Sequence, residues 1–592
     1  MRVLFSMRHL GSFRMYESVL RQLAAAGHEV HVLANRRDSL GWGSAPESLL
    51  PDVPAIRWSW EELRPTAWLE FATAVRIWLD YLRYFEPAYA GAPRLRLRAA
   101  ERVPALLRRI TEWSLVQTTS GRRALSGLLR AIERALPRQL SFDALIREHR
   151  PDVVLLTPLL HLGSPQIELL RSARALGVRS ALCVGSWDHL SSKSLIREMP
   201  DRIFVWNDTQ RREAEELHGI PADQVTVTGA QCYDHWFGRT PQRTREEFCA
   251  IVKLPADRPF LLWVCSALFV GSPSEAQFVR RWIEELRASD DPLLRTAGIL
   301  VRPHPARLDE WRAVDLEGLP DVTLYGSMPV DDGSKEDYFE SLHFASAVAG
   351  LNTSAFLEAA IAGRAVHTIV LPEFQENQEG TLHFHYLQSV AGGLLRVART
   401  FDQHRAQLAA TLREPGTDNP NAAFVKAFIR PHGLDRPATD VFASALEEFG
   451  RSPAPAPAAA PAWAPIVRAA AFPLAALTHR AVTNADNPTD RTFHELQRAQ
   501  RKDQHRRDHE REIEARKVEA AARRDEKLRL AEASRQAAVQ AREDKLAASA
   551  RQKREHVTAK EREKLHRTRA KRRAAFLAQL KRRLGFGWKA AP

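Results

Sequence analysis

Four groups of residues between positions 266 and 358 have the chemistry to hold a phosphorylated ligand. Arg302-Pro303-His304-Pro305 directly follows the apolar run Gly298-Ile299-Leu300-Val301. The prolines hold this exit extended, and Arg302 and His304 offer donors to an anion. Gly350-Leu351-Asn352-Thr353-Ser354 joins another apolar run to a helix. Its small and hydroxyl residues, Asn352, Thr353 and Ser354, cap that helix and leave its first N–H groups for a phosphate. The same residues also suit a plain helix cap. Glu358 falls one turn further on, in an otherwise apolar stretch (AFLEAAIAG). A carboxylate near a helix N-terminus is favoured by the dipole, and it is placed to accept both hydroxyls of a ribose whose phosphate sits on the cap. Ser266 follows the apolar run starting at Phe260 and is expected to face the same crevice. Together these groups suit a nucleoside diphosphate.

A transfer reaction also needs a group that takes a proton from an attacking hydroxyl. The first half of the chain offers His9 and Arg14 after one apolar run, His161 after Val153-Val154-Leu155-Leu156-Thr157, and Asp188 and His189 after Ser180-Ala181-Leu182-Cys183-Val184. The run Ser186-Trp187-Asp188-His189-Leu190-Ser191-Ser192-Lys193 is the densest of these, so Asp188 is the first candidate for the catalytic role and His161 the second. Asp188 also suits a simple helix cap. Asp331-Asp332-Gly333 reads as a turn.

The elements that would position these residues alternate regularly. MRVLF, a helix over 16–26 closed by Gly27, and EVHVLA form a β-α-β unit, which implies parallel strands and a right-handed crossover. The pattern recurs over 151–184 and continues through RIFVW and QVTVTG. A second series runs from FLLWVCS through GILV, VTLYG, SAVAG and AVHTIVL. The expected fold class is α/β: two doubly wound Rossmann-like domains facing a cleft. The N-terminal, acceptor-side domain spans residues 1–235 with a basic helical insertion at about 84–140. The nucleotide-donor domain spans 236–450, a Pro/Ala-rich linker 451–489, and a charged, basic helical tail 490–592.

Composition separates the tail from the body. The chain has 592 residues and a net charge of +14, yet residues 491–592 alone carry 31 Lys and Arg against 15 Asp and Glu. The remaining residues are near neutral, so the basic character belongs to the tail. The tail lacks aromatic residues interleaved for stacking on bases and any zinc-finger pattern, which excludes sequence-specific nucleic-acid recognition. Residues 93–138 hold 11 Arg and 3 acidic residues among Leu, Ile and Trp113. This segment suits either a solvated helical pair or, with the tail, peripheral contact with an anionic membrane. Hydrophobic residues make up 44% of the chain, enough for real cores. The four cysteines form no CxxC pair, and no secretory signal or membrane-spanning run is evident. The expected location is the cytoplasm, at most peripheral at the inner face of the plasma membrane.

The order RPHP, then G-x-N-T-S-x-x-x-E-A-A-I-x-G-R-A-V, resembles the donor half of bacterial surface-polysaccharide transferases of the GT-B type. These include capsule and teichoic-acid polymerases of the CDP-glycerol transferase kind and the GT-B sialyltransferases. The match is strongest over residues 298–372. Phe428-Ile429-Arg430-Pro431-His432-Gly433-Leu434-Asp435 is also similar to a segment closing such proteins. The resemblance implies that His304, Pro305, Thr353 and Ser354 hold the phosphates of a nucleotide-sugar donor, and that the acceptor is a glycan or lipid-linked glycan. The chain contains no Asp-x-Asp, so no metal or other cofactor is expected. Arg302, His304 and the helix N-terminus would meet the leaving-group charge. The enzyme alternative is a UDP-sugar 2-epimerase, whose Gly-Thr-Arg-Pro-Glu segment is absent here. The non-enzyme alternative is a scaffold whose basic tail binds membrane or nucleic acid.

Overall fold

The computed structural model describes all residues except 36–52, 62, 64–65, 317, 327–328, 330, 414–418, 485–487 and 584–592. Its first sheet contains β1 (Arg2–Met7), β2 (Glu29–Asn35), β3 (Ile56–Glu61), β4 (Val153–Thr157), β5 (Arg179–Cys183), β6 (Arg202–Val205) and β7 (Val225–Val227). These are parallel, in the order β3-β2-β1-β4-β5-β6-β7. The second sheet contains β8 (Phe260–Val264), β9 (Gly298–Arg302), β10 (Val322–Leu324), β11 (Ala347–Gly350), β12 (Ala365–Ile369) and β13 (Leu395–Ala398). It is also parallel, in the order β10-β9-β8-β11-β12-β13. Two doubly wound α/β domains are therefore present.

Helices cover both faces of each sheet, so the central strands are apolar throughout rather than alternating. VVLLT of β4 and FLLWV of β8 are buried at every position. The edge strands β3 (IRWSWE) and β13 (LRVA) keep polar residues and partial exposure. Each sheet reverses its order once, between β1 and β4 and between β8 and β11, which opens a crevice at the carboxyl ends of those strands. Gly350 fits the second reversal closely. A Cβ there would lie 2.6 Å from the Val264 carbonyl oxygen and 3.0 Å from the Phe356 ring.

Three boundaries differ from the sequence reading. The helical insertion is longer than 84–140, beginning with helix Ala67–Arg83 and ending with Leu140–His149. It is anchored by buried ion pairs: Arg76 with Glu133 at 2.7 Å and with Glu168, and Arg197 with Asp80. The helix Ala438–Arg451 leaves the second domain and packs on the first sheet, its Phe442 ring 5.0 Å from Phe204. The segment read as a Pro/Ala linker contains a docked helix, Ala464–Asn484, whose Arg468 Nε donates to the Ala135 carbonyl at 2.5 Å. Ala is the strongest helix former, so a run read as a spacer becomes a helix once a surface receives it. The tail forms a separate unit, in which Pro488–Arg583 is one long helix. Among the described residues no helix is long and apolar enough to cross a membrane.

The segment Phe428–Asp435, without a role in the sequence reading, staples the two domains. The Phe428 and Ile429 carbonyls accept from Asn207 Nδ2 and Ala230 N at 2.8 Å each. Arg430 pairs with Asp234 at 2.7 Å and lies over the Phe237 ring at 3.6 Å. Asp234 also accepts from the backbone N–H groups of Ala438 and Thr439 and from the Thr439 hydroxyl, at 3.1, 2.7 and 2.6 Å. One carboxylate thus satisfies Arg430 and the start of the returning helix. Asp234→Ala leaves a buried guanidinium unpaired, at a cost of about 3–5 kcal/mol. It is expected to lower the calorimetric Tm by several degrees, and an unchanged melt would contradict this assignment.

Candidate functional site

The crevice residues come from the loops after the strands flanking each reversal. In the second domain, Ser266 follows β8, Arg302 ends β9, His304 follows it, and Asn352, Thr353 and Ser354 lead from β11 into helix Ala355–Ile361. That helix carries Glu358. In the first domain, His161 follows β4 and Trp187 to Lys193 follow β5.

The structure divides the predicted residues into a surface set and a supporting set. Ser266 is fully buried. Its hydroxyl accepts from Asn352 N at 3.1 Å, while its own N–H donates to Glu275 at 2.7 Å. It therefore fixes the cap loop from beneath. Arg302 is also buried. Its guanidinium turns into the domain, donating to the Ser341 hydroxyl at 2.9 Å and lying 5.1 Å from the Tyr338 ring centroid. Gly326, with φ of +114°, makes room: a Cβ there would lie 2.4 Å from the guanidinium carbon. His304 is half-buried and caps the following 3-10 helix, its Nδ1 accepting from Ala306 N at 3.2 Å. That bond leaves the proton on Nε2 as a donor, and burial together with Arg307 keeps the ring neutral.

Glu358 meets Tyr338 through a hydrogen bond from the phenol. Burial raises its pKa to about 7, against the opposing pull of the Tyr338 bond, Arg14 and Arg302. Arg14 belongs to the first domain, so this carboxyl senses both domains. Asn352 Nδ2 donates to the Asn377 carbonyl at 2.7 Å, while its Oδ1 is buried without a partner. Thr353 is half-buried and Ser354 exposed.

Trp187 joins the two sides. Its Nε1 donates to the Ser354 hydroxyl at 3.1 Å, and its ring meets His383 edge-on at 4.8 Å. Beside it, Asp188 accepts from the hydroxyls of Ser186 and Ser192 at 2.6 and 2.9 Å and pairs with Lys193 at 3.2 Å. Burial works to raise its pKa, but Lys193, His189 and His383 outweigh that and hold the carboxyl well below the usual range. His161 has a buried Nδ1 without a partner. Burial, then Arg8, Arg197 and His9, keep this imidazole neutral. Asp331 caps helix Asp332–Phe344 with a capping box.

Sequence reasoning missed Tyr338, His383 and the pair Glu213–Tyr386, in which the Tyr386 phenol donates across the domains at 2.8 Å. Tyr338 sits inside a helix of unremarkable pattern, and no sequence signal marks it. His383 and Tyr386 lie in LHFHYLQS, where the aromatic and imidazole density was the available clue.

No protein-family model matches the chain, and no curated protein matches it. Solved structures are similar to it in architecture. A glycosyltransferase from Rickettsia africae is 10% identical, over 76% of this chain and 99% of its own, with a TM-score of 0.45. The UDP-GlcNAc 2-epimerase from Methanocaldococcus jannaschii is 11% identical, over 75% and 99%, with a TM-score of 0.43. Acinetobacter baumannii MurG is 14% identical, over 76% and 99%, with a TM-score of 0.38. At these values the likenesses carry no argument about the reaction, which rests on the site.

Two further carboxyls bracket the crevice. Burial raises both Glu213 and Glu275 to about 8. A folded-state pKa above the unfolded value gives stability that is fully present below the unfolded pKa and is lost as pH rises through the folded one. Above about pH 7 the buried imidazoles are neutral in both folded and unfolded states and add no further stability, so the Tm is expected to fall between about pH 7 and pH 9, and Glu213→Gln and Glu275→Gln should each flatten that slope. A Tm rising across this window would contradict the burial assigned to these groups.

Proposed function

We propose that the chain is a transferase that moves a sugar or a polyol phosphate from a nucleotide-linked donor to a bacterial surface polysaccharide, with a glycan or lipid-linked glycan as acceptor. The observation that carries this reading is the Trp187–Ser354 hydrogen bond, which brings the loop holding Asp188 to the loop at the β8/β11 reversal, with Glu358 in the first turn of the helix that this loop opens. In this reading Glu358 accepts the ribose hydroxyls, and Thr353, Ser354 and the Nε2–H of His304 bind the phosphates. Ser266 and Arg302 support the cap loop and Tyr338. Preorganised donors of this kind stabilise a leaving diphosphate electrostatically, and the reading includes no metal.

Asp188 is the first choice for engaging the acceptor hydroxyl, and His161 the second. Held ionised by Lys193, the Asp188 carboxylate orients the hydroxyl, beside the imidazoles of His189 and His383, which burial keeps neutral. Asp188→Asn is expected to lower kcat at least about tenfold with little change in donor affinity. An unaltered kcat would remove Asp188 from the reaction and leave His161 to be tested.

The first experiment is a thermal-shift panel on the full chain with CMP, CDP, UDP, GDP and their sugar conjugates, with and without EDTA. A ligand at 100 times its Kd stabilises by about 2.7 kcal/mol. One nucleotide is expected to shift the body in EDTA as well as without it, and the shift should shrink in His304→Ala. No shift with any nucleotide would overturn the donor site, and a shift lost in EDTA would overturn metal independence. Appearance of an epimerised donor without any acceptor would favour the epimerase chemistry instead.

A further inference from the structure

The helix Ala464–Asn484 is docked with its polarity inverted. Helices on a globular surface turn their large apolar residues inward. Here most of the inward residues are small: Ala464, Ala471 and Ala475 are buried, Phe472 leans on the Trp68 ring at 6.0 Å, and Arg468 and His479 reach inward to the Ala135 carbonyl and to Glu70. At 3.6 residues per turn Ile466, Leu474 and Leu477 share the opposite face, and they are 74%, 57% and 62% exposed. The described body therefore leaves a row of large aliphatic side chains in water on a helix that contains no acidic residue.

The neighbouring helices continue this character. Trp113 and Leu115 flank the turn before helix Thr119–Ala135 and are 61% and 77% exposed. Leu128 on that helix is exposed as well. Arg123, Arg130 and Arg134 are exposed on it, and its one carboxylate, Glu133, is buried against Arg76. Exposed aliphatic and Trp side chains among arginines, with no exposed carboxylate on either helix, complement a surface that is apolar within and anionic at its rim. A second copy of the chain would set these arginines against themselves. The long aliphatic stems of the arginines also suit an interface in which the charged heads stay at headgroup level.

We propose that the outer face of helices Ala464–Asn484 and Thr119–Ala135, with Trp113 and Leu115, seats on an anionic lipid surface. This is independent of the reaction proposed above. The docked helix is the part that enters the lipid, and the arginines of the adjoining helix select anionic headgroups.

The test is co-sedimentation of the full chain with vesicles of phosphatidylcholine alone and of phosphatidylcholine with phosphatidylglycerol, at low salt and at about 0.5 M salt. Salt strips attachment made only by the basic tail, because exposed charges are screened at that ionic strength, so the salt-resistant fraction reports apolar seating. Leu474→Glu/Leu477→Glu alters only outward positions, and its Tm should match that of the parent chain. Its salt-resistant partitioning is expected to fall at least about tenfold. Arg123→Glu/Arg130→Glu should weaken the salt-resistant binding to vesicles containing phosphatidylglycerol more than binding to phosphatidylcholine alone. The proposal is overturned if the parent chain shows no salt-resistant binding, or if Leu474→Glu/Leu477→Glu binds as well as the parent. It is equally overturned if size-exclusion chromatography shows a dimer that this variant splits, since a second copy would then cover the face.

Discussion

One carboxylate, Asp234, ties the closing segment of the second domain to the first, beside an apolar core that both domains share. Each parallel sheet makes its own opening where the strand order reverses, and neither opening alone brings Ser354 opposite Trp187. Asp234 connects them, taking Arg430 from the closing segment of the second domain and capping the helix that returns to the first. The bonds of Asn207 and Ala230 to the Phe428 and Ile429 carbonyls run beside it. The Trp187–Ser354 bond follows from this register, and so does the nearness of Arg14 to Glu358. A charge pair this well bonded tolerates its burial, whereas breaking it strands a cation.

The electrostatics of the site divide by side. In the second domain burial dominates, and it raises the Glu358 carboxyl to about 7. In the first domain Lys193 outweighs burial and keeps Asp188 ionised. Carboxyls pushed in opposite directions within one crevice mark functional positions more often than packing alone does. Arg302 shows the complementary pattern. The motif that drew attention to it also contains His304, yet the guanidinium stacks under Tyr338 and bonds Ser341, so it reaches the crevice through Tyr338 and Glu358.

Much of the architecture was legible in the residues because parallel strands covered on both faces are written as continuous apolar runs. VVLLT, FLLWV and GILV could be read without a partner in view. The edge strands IRWSWE and LRVA carry half-exposed polar residues and blended into loops. That residues 352–354 lead straight into the helix carrying Glu358 was legible because the spacing is local, although Ser354 at its N-cap makes no side-chain cap bond. The direction taken by Arg302, the contribution of Tyr338 and the pairing of Asp234 with Arg430 depend on contacts far apart in sequence, which no local pattern encodes. The helix at 464–484 was hidden by composition, since Ala and Pro suit a spacer until a receiving surface is known.

The measurement that bears most directly on this account is a calorimetric titration of the best-binding nucleoside diphosphate into the full chain at pH 6, 7 and 8, repeated with Glu358→Gln. If ionised Glu358 accepts the ribose hydroxyls, a group titrating near 7 makes binding about tenfold tighter across that range by linkage, and Glu358→Gln binds weakly and loses that tenfold gain. Equal affinity of the parent chain and Glu358→Gln, with the same pH profile, would contradict the assignment of this crevice as a nucleotide donor site.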